Sequence, residues 1–110
     1  MQFLMLVATD PTAEPYDAAL DNIEEWVTEA DAAGSRLLGE RLVPAARAKT
    51  VRVRGGGVSV TDGPFAELGE LIAGFDILVA DSLADAVAIA AKHPMARFGQ
   101  LELRAFDPFE

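Results

Sequence analysis

Cysteine is absent from the 110 residues, which excludes disulfides, thiolate nucleophiles and Cys-ligated zinc together. Histidine occurs once, as His93. One imidazole without thiols leaves only carboxylates to complete a metal site, and no Asp/Glu spacing resembles a calcium loop or a zincin helix, so no metal is expected. Bases are scarce: Lys+Arg 9 against Asp+Glu 18 gives a formal charge of −9, which opposes binding of a phosphate backbone. The basic stretch also lacks interleaved aromatics for base stacking, so no nucleic-acid partner is expected. Apolar runs fall far short of the roughly 20 residues of a membrane span, and the start MQFLMLVATD has no basic n-region, so the expectation is a cytoplasmic protein without a membrane partner. Gly55-Gly56-Gly57 joins two strand patterns and opens no helix, so no nucleotide or other cofactor is implied. Ser35, Ser59 and Ser82 fall in a helix exit, a strand and a cap, and build no nucleophilic triad.

What is present is a single domain over 1–110, with 51% apolar residues to build one core. Residues 2–8 form a short continuous apolar run of the kind found in a strand buried on both faces. A helix is expected over 16–33, with Tyr16, Ala19, Leu20, Ile23, Trp26, Val27 and Ala30 on one stripe and the acids outside it. A second strand follows over 36–43. Val51 to Arg54 and Val58 to Val60 alternate on either side of the glycines, which signals a hairpin. A further strand covers 72–80, with Phe75, Ile77 and Val79 on one face and Leu78 and Ala80 on the other. Ser82 opens a second helix in capping-box fashion, and Pro94 ends it near Lys92-His93. Residues 100–106 alternate as a last strand.

This order, β-α-β, hairpin, β-α-β, is the α+β ferredoxin-like split pattern with an inserted β-hairpin. Both helices then cover one face of an antiparallel sheet. The two central strands are nevertheless apolar on both sides, so a second layer is needed, and another copy of the chain supplies it: a homodimer is expected.

Charge is unevenly placed. Eight acids and no base precede residue 36, whereas residues 36–54 hold six bases and one acid. A solvated helix face and the outer side of a hairpin explain this, as does pairing between subunits or with a partner. The most distinctive segment is Thr61-Asp62-Gly63-Pro64-Phe65-Ala66-Glu67. Asp62 can accept hydrogen bonds from backbone N–H groups, Gly63 can adopt a φ other residues resist, Pro64 fixes the exit, and Phe65 can anchor the loop in the core. A small-ligand loop and a plain tight turn need the same residue types. His93 has the unperturbed pKa suited to proton transfer near neutrality, and it also suits a helix C-terminus, where it complements the dipole. Glu67 and Glu70 suit the start of a short helical segment.

The Asp62-Gly63-Pro64-Phe65 loop resembles the signature of the DGPF-type branch of the YCII-related family, small bacterial proteins with a ferredoxin-like dimeric α/β-barrel fold. The resemblance extends over the chain: Gly39 to Pro44, Thr50 to Arg54, Gly74-Phe75, His93 to Gly99 and Glu102 to Arg104 are similar to successive family segments. It implies the fold and the dimer. Some relatives act on small ring or lactone compounds, one as a dehydrochlorinase, and others occur beside genes for extracytoplasmic-function sigma factors. In the YCII branch proper a His early in the first helix and an Asp before a proline after the last helix form the suspected acid/base couple. Here the first helix has no His, and His93 stands where that branch has Asp.

Two functions follow as expectations. The first is a small-molecule enzyme or binder with its site under the loop: His93 as general acid/base, Asp62 as orienter or base sharing its cleft, Gly63, Pro64 and Phe65 shaping the site, Arg97 for an anionic group, and Tyr16, Trp26 or Phe98 lining an apolar wall. The second is a regulatory protein that engages a partner such as a sigma factor.

Overall fold

The structure is a computed structural model and describes residues 1–65 and 71–107. The opening apolar run is strand β1, Gln2–Ala8, in which Phe3 and Met5 are fully buried while Leu4 and Leu6 on the other side are half-buried. The first helix, α1, spans Ile23–Ala32, seven residues later than the apolar stripe predicts. The stripe is real from Ile23 onward, but Asp17 and Asp21 divert the chain before it. The Asp17 carboxylate accepts from Ala19 N–H and caps a short 3-10 turn, Ala18–Leu20, and Asp21 Oδ1 accepts from Ile23 N–H at 3.2 Å. Such local bonds compete with helix geometry, which is why Asp favours starts over interiors.

Strand β2 is Arg36–Arg41, and a 3-10 turn at Ala45–Arg47 leads to the hairpin β3, Lys49–Arg54, and β4, Gly57–Asp62. Gly55 and Gly56 both have positive φ, 58° and 79°, as a two-residue type I′ connection requires. Strand β5 is Ile72–Val79. Ser82 Oγ accepts from Asp85 N–H at 3.1 Å and caps α2, Leu83–Ala91, as expected. A single turn, α3, Met95–Phe98, follows Pro94 and delivers the chain to β6, Gln100–Ala105.

The main sheet has the order β2-β5-β1-β6, with every neighbouring pair antiparallel, consistent with a ferredoxin-like fold. The central strands are β5 and β1, as the topology requires. Phe3, Met5, Leu78 and Ala80 on one face meet Trp26 from α1 and Ala86 and Ala90 from α2. Full burial of each large side chain contributes roughly 1.5–3 kcal/mol. The alanines let α2 lie close to the sheet, and the indole Nε1–H of Trp26 donates to Ile89 O at 2.9 Å, so the tryptophan packs without an orphaned donor.

On the opposite face Leu4 stands across from Ile77 and Leu6 across from Phe75, with Leu38 beyond Ile77. No element among the described residues covers this face with a further layer of sheet or helix. The hairpin pairs only with itself. Val51 opposes Val60 and Val53 opposes Val58, all on one face and all more than half exposed. The chain is correspondingly extended: its radius of gyration is 16.1 Å, whereas a compact chain of this length has about 13 Å.

Candidate functional site

The charged positions of β2 and β5 build the site. On the helix-covered face Asp76 stands opposite Gly39, and one pair further on Arg41 stands opposite Gly74. A Cβ at Gly39 would collide with the Asp76 carboxylate and with Arg36, and one at Gly74 would lie 2.8 Å from Glu40 O. Each acidic or basic side chain therefore rises beside a bare stretch of backbone. The space above is a cleft of about 480 Å³, with Asp76, Val7 and Gly74 in its floor, Trp26 and Val27 of α1 on one side, and Tyr16, His93, Met95 and Phe98 on the other. That volume suits one small organic molecule.

Asp76 is 7% exposed. Its Oδ1 accepts from Arg36 Nε at 2.7 Å, whereas Oδ2 has no hydrogen-bond partner among the described residues and is not sealed from the cleft. Burial raises its pKa above the usual carboxylate range, and Arg36 holds that rise back. Arg36 is fully engaged: beyond Asp76, Nη1 donates to the Asp31 carboxylate at 3.1 Å and Nη2 to Gly39 O at 3.2 Å. The Asp76 hydrogen bond is the main reason its own pKa is raised further, so it stays a cation.

His93 is 6% exposed, between α2 and α3. Its Nδ1 accepts from Met95 N–H at 3.0 Å, and its ring meets the edge of Trp26 with centroids 4.6 Å apart. A neutral imidazole that accepts at Nδ1 carries its proton on Nε2. Burial pushes the pKa down to about 4, and Asp21 offsets only part of this. Protonation would also place a hydrogen on Nδ1, against the Met95 N–H. At neutral pH these surroundings favour the neutral imidazole with its proton on Nε2.

The loop residues lie elsewhere. Asp62 does not line the His93 cleft; its carboxylate is largely exposed and pairs with Lys49 across the hairpin, and no backbone N–H among the described residues donates to it, contrary to expectation. The turn is held by its backbone instead. Gly63, with φ 88°, donates its N–H to Ala48 O at 2.9 Å, and its carbonyl accepts from the buried Thr50 hydroxyl at 2.7 Å. Pro64 is half-buried, but Phe65 is 82% exposed and anchors nothing in the core of its own chain, because the hairpin projects from the sheet. Ala66, Glu67 and Glu70 lie outside the described residues. Arg97 pairs with Glu14 at 3.5 Å and opens, with His93, on a second and more polar cleft of about 1010 Å³. Tyr16 and Phe98 do form a wall, with ring centroids 5.2 Å apart, and the Tyr16 hydroxyl donates to Asp21 at 2.7 Å.

Asp76 and Arg36 are thus the positions that the motif reading misses, although it includes Gly39 beside them. Their signal is an acid in the middle of an apolar strand, on the same face as Leu78 and Ala80. Among the described residues no cluster of three or more His, Asp or Glu is disposed to hold a metal, and no helix is long and apolar enough to cross a membrane.

An α+β domain with its helices on one face of an antiparallel sheet, and a cleft between them, defines the class. The chain belongs to the YCII-related domain family, whose model matches residues 1–110. It is similar in structure to the 5-chloro-2-hydroxyhydroquinone dehydrochlorinase TftG of Burkholderia phenoliruptrix AC1100, solved in complex with 2,5-dihydroxybenzoquinone. The TM-score is 0.51 at 13% identity, covering 97% of this chain and 94% of that one. The search of curated proteins returned no match.

Proposed function

We propose that the cleft over Asp76 binds a small cyclic organic molecule and moves a proton on it, with Asp76 as base and His93 as hydrogen-bond donor. The observation that carries this is the buried Asp76 carboxylate with one oxygen held by Arg36 and the other open to an aromatic-walled cleft. A raised pKa makes such a carboxylate a stronger base than a solvated one, and a neutral Nε2–H can polarise a carbonyl without giving up its proton. The fold shared with a dehydrochlorinase seen with a quinone supports a ring as the ligand.

The active form in this reading is a homodimer. The half-buried face bearing Leu4, Leu6, Phe75 and Ile77, and the exposed valines of the hairpin, are the surfaces a second copy would cover. Within one chain Asp62 shares no cleft with His93, so in this reading the two meet only across that dimer.

The test is binding of resorcinol, a ring whose hydroxyls stay protonated at neutral pH, followed by calorimetry. The wild type should bind it and Asp76→Asn should lose at least about tenfold in affinity, the cost of one charge-assisted hydrogen bond. An Asp76→Asn protein that binds as well as wild type would remove Asp76 from the site.

A further inference from the structure

We infer that the ligand of this cleft carries an anionic substituent and that Arg41 receives it, an assignment that rests on the cleft's being the binding site. Two arginines lie on the cleft side of β2, and the structure treats them oppositely. Arg36 spends its guanidinium on Asp76, Asp31 and Gly39 O and has little left for a ligand. Arg41 lines the same cleft, is exposed at its mouth, and has no ion pair or side-chain hydrogen bond among the described residues. An arginine directed over a cleft without a carboxylate to hold it is a fork with its partner missing.

The register fixes what that partner must be. Asp76 opposes Gly39, and Arg41 is two residues beyond Gly39 on the same strand, so the two are diagonal neighbours on one face. Diagonal positions on an antiparallel pair are separated by roughly 7–8 Å. Gly74, opposite Arg41, places no side chain between them. The long Arg41 side chain adds its own reach to that backbone spacing and leaves room for a single six-membered ring, with a hydroxyl donating to Asp76 Oδ2 at the floor and a carboxylate on Arg41 at the rim. A ligand carboxylate turned the other way would face the Asp76 carboxylate, which fixes the orientation. The ligand class is therefore a hydroxylated cyclic monoanion, bound with its charge outward.

The experiment compares 4-hydroxybenzoate with 4-hydroxybenzamide, which share ring and hydroxyl and differ in charge, by calorimetry on the wild type, Arg41→Gln and Arg41→Lys. The acid should bind about tenfold more tightly than the amide to the wild type, as an added charge-assisted contact allows. Arg41→Gln should erase that preference without weakening the amide, and Arg41→Lys should restore part of it. NaCl at about 1 M, where charges are screened beyond about 3 Å, should weaken the acid alone. Equal binding of both compounds to the wild type would overturn the role of Arg41 and leave the ring site standing. A preference for the acid that survives Arg41→Gln would also overturn it, since the charge is then held elsewhere. Binding of neither compound, while the neutral ring resorcinol binds, rejects the anionic class; if none of the three binds, the ring site itself fails.

Discussion

His93 gives the fold a pH response because it is both buried and singular. Its folded-state pKa lies near 4 and its unfolded value near 6.5, so between these limits the unfolded chain binds the extra proton. Stability should be at its full value above about pH 6.5, fall as the pH drops toward 4, and level off below. The loss is of order 2–3 kcal/mol. Urea titrations across that range should show the slope in the wild type and a much flatter profile in His93→Gln. The imidazole is the only one in the chain, so its NMR titration is unambiguous, and a midpoint near 6.5 would show that the ring is not desolvated. Gly39 gives a second check at this scale. Gly39→Ala places a methyl against Asp76 and Arg36, and such overpacking costs about 1–3 kcal/mol. It should also lower ligand affinity by moving the carboxylate, whereas Ala substitution of Leu37, an exposed β2 residue outside the cleft, should do neither.

The hairpin shows how an element can be legible while its purpose is not. Alternation and the glycine turn locate β3 and β4 to within two residues at each end, because period-2 patterning depends only on neighbours along the chain. Whether Asp62 works through its side chain depends on what lies across the strand, and there Lys49 stands opposite it. The pair is solvent-exposed, so Asp62→Ala should cost less than about 1 kcal/mol. Thr50→Val removes the buried hydroxyl that holds Gly63 O and should cost about 1 kcal/mol or more, so the urea midpoints should rank in that order. The first helix is the reverse case: its apolar stripe packs as predicted from Ile23, but two aspartates with local hydrogen bonds outweigh the periodicity before it. Strand β5 is legible by its apolarity, and that same apolarity masks Asp76. A lone acid there reads as a site only once Arg36, forty residues earlier, is known to be beside it.

At the scale of the molecule, the open sheet face and the projecting hairpin give the same expectation. Light scattering should report twice 11.7 kDa, and Leu4→Glu should shift the protein toward monomer by placing a charge on the face opposite the helices. A monomer at micromolar concentration would reject the dimer and leave the cleft assignments intact. One feature of the core serves every such measurement. The chain has a single tryptophan, and Trp26 lies against the single histidine, in the wall of the cleft and between α1, which carries it, and α2. Its fluorescence is therefore an intrinsic reporter, with no label to perturb the fold: unfolding, entry of a ring compound and protonation of the imidazole all change the surroundings of one indole, and can be followed in one emission band.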